Sequence, residues 1–136
     1  MTIHMVKLCV GADDVDDLRN WQKRLLQSSP APYHQTRMVP KRGDELMAGG
    51  SIYWVIRNVI QARQLITDVR EIEDRGGRRA CELVFDPNIV LVDPTPKRPF
   101  QGWRYLKPAD VPADLKGGDV DVPSALRSQL KEAMVW

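Results

Sequence analysis

Few residues in this chain are equipped for metal binding or nucleophilic catalysis: His4 and His34, Cys9 and Cys81. None stands at a zinc-ligand spacing such as Cys-x-x-Cys, so neither a zinc ribbon nor a disulfide framework follows from them. Free cysteine packs as a small hydrophobe, which assigns both thiols to the core. His4 reads as a packed strand residue and His34 as a loop residue. A Gly-x-Ser-x-Gly elbow, a Walker loop and a dinucleotide fingerprint are all missing, and Gly49-Gly50 and Gly76-Gly77 read as turns. No metal and no cofactor is expected.

What remains is basic and aromatic. Arg37, Lys41 and Arg42 form one cluster; Lys97, Arg98, Phe100, Trp103, Arg104, Tyr105 and Lys107 form a second. Cations neutralise phosphates and planar rings stack on unpaired bases, so such residues suit nucleic acid. The candidate ligand set is therefore Arg37, Lys41, Arg42, Tyr53, Arg98, Trp103, Arg104 and Tyr105, with RNA or a modified nucleotide as the partner. A plainer reading stands beside it: Phe100 and Trp103 fill the core as Trp21 and Trp54 do, and the arginines line a solvated face. Lys and Arg against Asp and Glu number 4 and 4 over residues 1–34, 13 and 9 over 35–107, and 3 and 5 over 108–136. The net +2 thus hides a middle section at +4, compatible with a phosphate-bearing ligand.

Elements must position these groups. At 136 residues, with 43% hydrophobic and 28% charged residues, the chain suits one domain over 1–136 with an ordinary core. It shows no leader peptide and no membrane span, from which a cytoplasmic location is expected. Residues 2–10 are apolar on both alternating faces (Ile3, Met5, Lys7, Cys9 and His4, Val6, Leu8, Val10), as in a strand covered on both sides. Asp13 is placed to cap a helix with the stripe Val15, Leu18, Trp21, Leu25 and Leu26, ending by Ser28-Ser29-Pro30. A short strand over 35–39 and one helical turn within 43–50 follow. Residues 51–74 fit either period. Their density of β-branched and aromatic residues favours two strands, 51–57 and 59–73, joined at Asn58. Arg75-Gly76-Gly77-Arg78 makes a hairpin to a strand over 79–85. A strand over 89–92, a rigid extended loop over 93–99, a strand within 100–107, a Pro-punctuated turn or short helix over 108–118 and a final helix from Asp121 complete the chain. Several strands framed by two main helices imply an α+β fold with a curled or closed mixed sheet.

The block from Thr36-Arg37-Met38-Val39-Pro40-Lys41-Arg42 through Gly49-Gly50-Ser51-Ile52-Tyr53-Trp54-Val55-Ile56, then Val59-Ile60-Gln61-Ala62-Arg63 and Arg98-Pro99-Phe100-Gln101-Gly102-Trp103-Arg104-Tyr105-Leu106, resembles an uncharacterised bacterial domain-of-unknown-function family. More distantly, a basic segment, a glycine before a strand and an alternating strand make the chain similar to PUA-like barrels of the ASCH and EVE type. That resemblance implies RNA or modified-nucleotide binding, or alternatively a small nucleoside amidohydrolase using Lys41, Thr36 and Glu45 or Glu82. No Lys-Thr pair stands where the ASCH pattern has it. A protein-interaction module is a third reading, and the oligomeric state is not encoded in any motif.

Overall fold

The structure, a computed structural model, describes residues 3–98 and 100–115. In chain order the elements are β1 (His4–Leu8), α1 (Val15–Leu26), β2 (Tyr33–Thr36), α2 (Gly43–Met47), β3 (Ser51–Ile56), β4 (Val59–Glu73), β5 (Arg79–Phe85), β6 (Val90–Pro96) and β7 (Trp103–Leu106), then a 3-10 turn at Pro108–Asp110. All seven strands join one mixed sheet along the path β2-β5-β4-β3-β1-β7, with β6 on β4. The α+β reading holds. Of the curled or closed sheet expected, the closed form is not what the chain makes: the path ends at β2 and β7, four-residue strands not paired with each other.

The long fourth strand is the seam of this sheet. Its first half pairs with β3 and β6, and its second half with β5. Arg57 and Asn58 both adopt positive φ, 53° and 63°, the backbone that a two-residue hairpin turn requires. At the next hairpin the Asp74 carboxylate accepts from the backbone N–H of Gly76 and of Arg78, each at 2.9 Å. Two expectations need correcting. The segment 93–96 is strand rather than loop, since Pro96 and Thr95 pair with Val59 and Ile60. Among the described residues the edge of β6 away from β4 is met only up to Asp93, where Val92 bridges Asp114 and Asp93 N–H donates to the Ala113 carbonyl at 2.9 Å, so Pro94 and Pro96 lie beyond that contact. His34 is a strand residue, opposite Leu83 of β5, because its partner is remote in sequence. The helix expected from Asp121 lies outside the described residues.

The amphipathic α1 starts at Asp14, one residue after the expected cap; its carboxylate accepts from Asp17 N–H at 3.0 Å. Val15 and Leu18 then bury against the sheet face formed by Met5, Ile52, Trp54 and Ile56. A buried amide pair fixes the contact: Gln22 and Gln64 exchange hydrogen bonds of 2.6 and 2.7 Å, and Trp54 Nε1 donates to Gln64 Oε1 at 2.9 Å. Polar groups this deep are retained only when so partnered. The opposite face carries a second, smaller cluster: Val6, Tyr53, Val55, Ile60, Val92 and Leu106. The first strand is thus covered on both sides, as its sequence implies. Among the described residues no helix is long and apolar enough to cross a membrane.

Candidate functional site

Period-two alternation divides the candidate ligand residues between two faces. Trp103 and Tyr105 pair with Lys7 and Met5, placing them on the α1 face, whereas Arg104 pairs with Val6 and lies on the other. On the first face Arg42 N–H donates to Tyr105 Oη at 3.1 Å, its guanidinium sits 5.7 Å from that ring, and Trp103 meets Tyr105 edge-on at 4.9 Å. Arg42 is also bound by Glu45 through Nε at 3.1 Å. On the second face Arg104 and Lys97 lie 5.4 and 5.9 Å from the Phe100 ring. Arg37, Lys41 and Arg98 are exposed. Trp103 and Tyr53 are enclosed, at 4% and 3% exposure, and Trp103 Nε1 donates to the Met38 carbonyl at 2.8 Å. Both rings therefore fill the core, and a ligand reaches them only if their covering side chains move.

The hydrolase set is not gathered. Thr36 pairs with Cys81 and Glu82 with Gln35, so Thr36 and Glu82 face opposite sides of the sheet. Glu45 is held by Arg42, and Glu82 lies 3.6 Å from Arg70. Around Tyr53 a further polar cluster is fully occupied: His4 Nδ1 accepts from Ser51 N–H at 3.0 Å, and Arg63 makes a forked pair with Asp114 at 2.6 and 2.7 Å. It clamps residue 114 to the sheet.

A cleft of about 410 Å³ opens elsewhere, along one side of α1. Asp17, Asn20, Trp21 and Arg24 of the helix form one wall; Leu8 to Ala12, His34 and Trp54 form the other. The ring of His34 is wedged edge-on between Trp21, at 5.9 Å, and Trp54, at 6.1 Å. Trp54 is core, but Trp21 is only half-buried and offers a ring to the cleft. Cys9, expected in the core, is half-buried in the cleft wall, while Cys81 is fully buried; burial pushes both thiols up to about 11. In β1, between Trp54 and Trp103, Lys7 is 8% exposed, and burial lowers the affinity of its amine for a proton. The signal for Lys7 was present in the sequence: one cation inside an otherwise apolar strand whose two faces are both covered. Trp21 and His34 gave none, since tryptophan on a helix stripe ordinarily reads as core.

Burial, and then the nearby Lys7 charge, lower the His34 pKa from 6.5 to about 4. Above pH 6.5 the imidazole is neutral folded and unfolded alike. Between 6.5 and 4 the unfolded chain takes up a proton that the folded chain refuses, so stability falls as pH falls through that window. The full loss is about 3 kcal/mol, from about 1.4 kcal/mol per pKa unit. Urea melts of wild type and His34→Gln at pH 7 and pH 4 check this: the variant should lose less stability between the two conditions.

Open mixed sheet, the long helix α1 and aromatic-walled cleft together define a small α+β module with a ligand-sized recess beside α1. The chain belongs to the family described as Protein of unknown function (DUF1489), whose model matches residues 5–136. Neither a curated protein nor a solved structure matches it. The family supplies no activity, so function rests on the cleft.

Proposed function

We propose that the protein binds a single nucleotide or modified nucleoside in the cleft beside α1, in the cytoplasm. The lining carries this reading: Trp21 and His34 rings stand beside Asn20 and Arg24 around about 410 Å³. A base offers two faces for stacking, worth about 1–3 kcal/mol each time an aromatic platform is used. Its edge suits the donors and acceptors of an amide such as Asn20. A guanidinium at the rim, Arg24, suits a phosphate. The volume lies toward the lower end of the roughly 300–1,000 Å³ typical of small-molecule sites, which favours one nucleotide over a strand. Where the nucleotide belongs to RNA, the exposed Arg37, Lys41, Arg42, Arg98 and Arg104 would take flanking phosphates outside the cleft.

Tryptophan fluorescence titrations with the four ribonucleoside 5′-monophosphates and with a short single-stranded RNA, at low salt, test the reading. Trp21→Ala should weaken mononucleotide binding about tenfold or more, consistent with the loss of one stacking platform. Arg42→Ala and Arg104→Ala should leave mononucleotides unaffected and flatten only the salt dependence of RNA binding. No binding of any probe at millimolar concentration would end the proposal.

A further inference from the structure

We infer that the cleft is polarised along α1: Asp17 receives a hydrogen-bond-donating edge of the ligand and Arg24 its acidic group, so that among nucleotides the site takes those of guanine. The assignment deepens the nucleotide reading and rests on it for the identity of the ligand. Asp17, Asn20, Trp21 and Arg24 all line the cleft, and among the described residues of the lining Asp17 and Arg24 are the charged ones. The four follow one another at the i, i+3, i+4, i+7 spacing that puts helix residues on a single stripe. Seven residues at a rise of 1.5 Å separate the two charges by roughly 10 Å along the axis, about the reach of one mononucleotide from base edge to phosphate. Stabilising the helix ends does not require this layout. Asp16 in the first turn and Lys23 in the last serve the helix dipole too, and neither lines the cleft.

The rings fix how a flat ligand lies. Trp21, His34 and Trp54 stand at 79° to 88° to one another, with centroids 5.9 to 6.4 Å apart. A plane stacked on one of them is therefore edge-on to the other two. Trp54 is 1% exposed, whereas Trp21 is half-buried and in the lining, so the base lies on Trp21 with its edge toward Asp17. The carboxylate there is held in position. Its Oδ2 accepts from the Asp13 N–H at 2.8 Å, and an ionised carboxylate keeps further acceptor sites beyond that bond. Such a group selects bases by what they donate. Guanine presents adjacent donors, N1–H and the exocyclic amine, with the O6 carbonyl beside them for the amide of Asn20. Uracil presents one N–H between two carbonyls, which a carboxylate repels. At the other end the exposed Arg24 guanidinium matches a phosphate bidentately, and hydrogen bonds between such charged groups are about twice as strong as neutral ones.

Isothermal titration of the full chain with GMP, UMP and guanosine tests the assignment. Wild type should bind GMP about tenfold or more tighter than UMP, the order expected when a side chain reads paired groups on a base edge. Asp17→Asn, whose amide oxygen can still accept from the Asp13 N–H, should bring that preference below about threefold. Arg24→Gln should weaken GMP about tenfold and leave guanosine unchanged. Both positions are exposed, so the variants keep the fold. Equal affinity of wild type for GMP and UMP overturns the polarity and leaves the nucleotide reading in place. A preference unmoved by Asp17→Asn, or a GMP affinity unmoved by Arg24→Gln, does the same. Where no nucleotide binds, the nucleotide reading falls, and 4-(aminomethyl)benzoate, a flat ring with an ammonium at one end and a carboxylate at the other, decides the polarity. Tighter binding than benzylamine and benzoate, lost in Asp17→Asn, supports it; no such preference overturns it.

Discussion

Replacing Trp103 with alanine should destabilise the protein by about 3–5 kcal/mol, the range for truncating a buried tryptophan. The ring is 4% exposed, packs in the main core cluster and donates to the Met38 carbonyl at 2.8 Å. Its removal opens a cavity and deprives the 37–42 segment of the bond that fastens it over β7. For a chain of this size the melting temperature should drop by roughly 10 °C or more. Mononucleotide affinity, measured well below the new midpoint, should change less than threefold because Trp103 is not in the cleft lining. A variant that melts like wild type but no longer binds would place the ring in the site instead.

Gly50→Ala should be as damaging for a different reason. A Cβ there would sit 2.3 Å from the Ile3 carbonyl oxygen and 2.5 Å from that of Leu46, and both obstacles are backbone. Gly50 N–H also donates to Leu46 O at 2.8 Å, and its own carbonyl accepts from Ile66 N–H at 2.9 Å. Relieving the overlap means separating α2, β1 and β4 at once, so the cost should reach about 3 kcal/mol or more, the upper range for overpacking. Gly77→Ala is the internal control. That residue has φ +76° with nothing within 4 Å, so an added methyl meets only backbone strain, of about 1–2 kcal/mol. Equilibrium urea denaturation of the two variants should rank them in that order; equal midpoints would refute the steric account.

Local chemistry carried much of the fold. The β-branched run from Ser51, the Asn58 joint and the Gly76-Gly77 hairpin appear in the structure as β3, β4 and β5. The acidic start and apolar stripe of α1 were equally readable. Where partners are distant the reading failed: β2 begins two residues before the expected start because Tyr33 and His34 find Val84 and Leu83, and β6 runs through two prolines because β4 lies alongside. The division of the basic and aromatic cluster was legible and missed, since Trp103, Arg104 and Tyr105 are consecutive in a strand and must alternate. The cleft was not legible. Its walls come from Leu8 to Ala12, Asp17 to Arg24, His34 and Trp54, and no period in the sequence says that α1 leaves a gap against the sheet.

The short outer strands have a consequence for behaviour in a crowded solution. A sheet exposes unpaired backbone at its margins, and such margins template the addition of further chains. Here β2 and β7 offer only four residues each, while β6 places Pro94 and Pro96, which cannot donate, within its run. The fifteen-residue fourth strand, the one long enough to seed cross-chain growth, is kept inside by neighbours on both edges over its first half. The architecture thereby guards against fibril formation at its own margins, so a sequence dense in β-branched residues remains compatible with a dispersed, unaggregated protein.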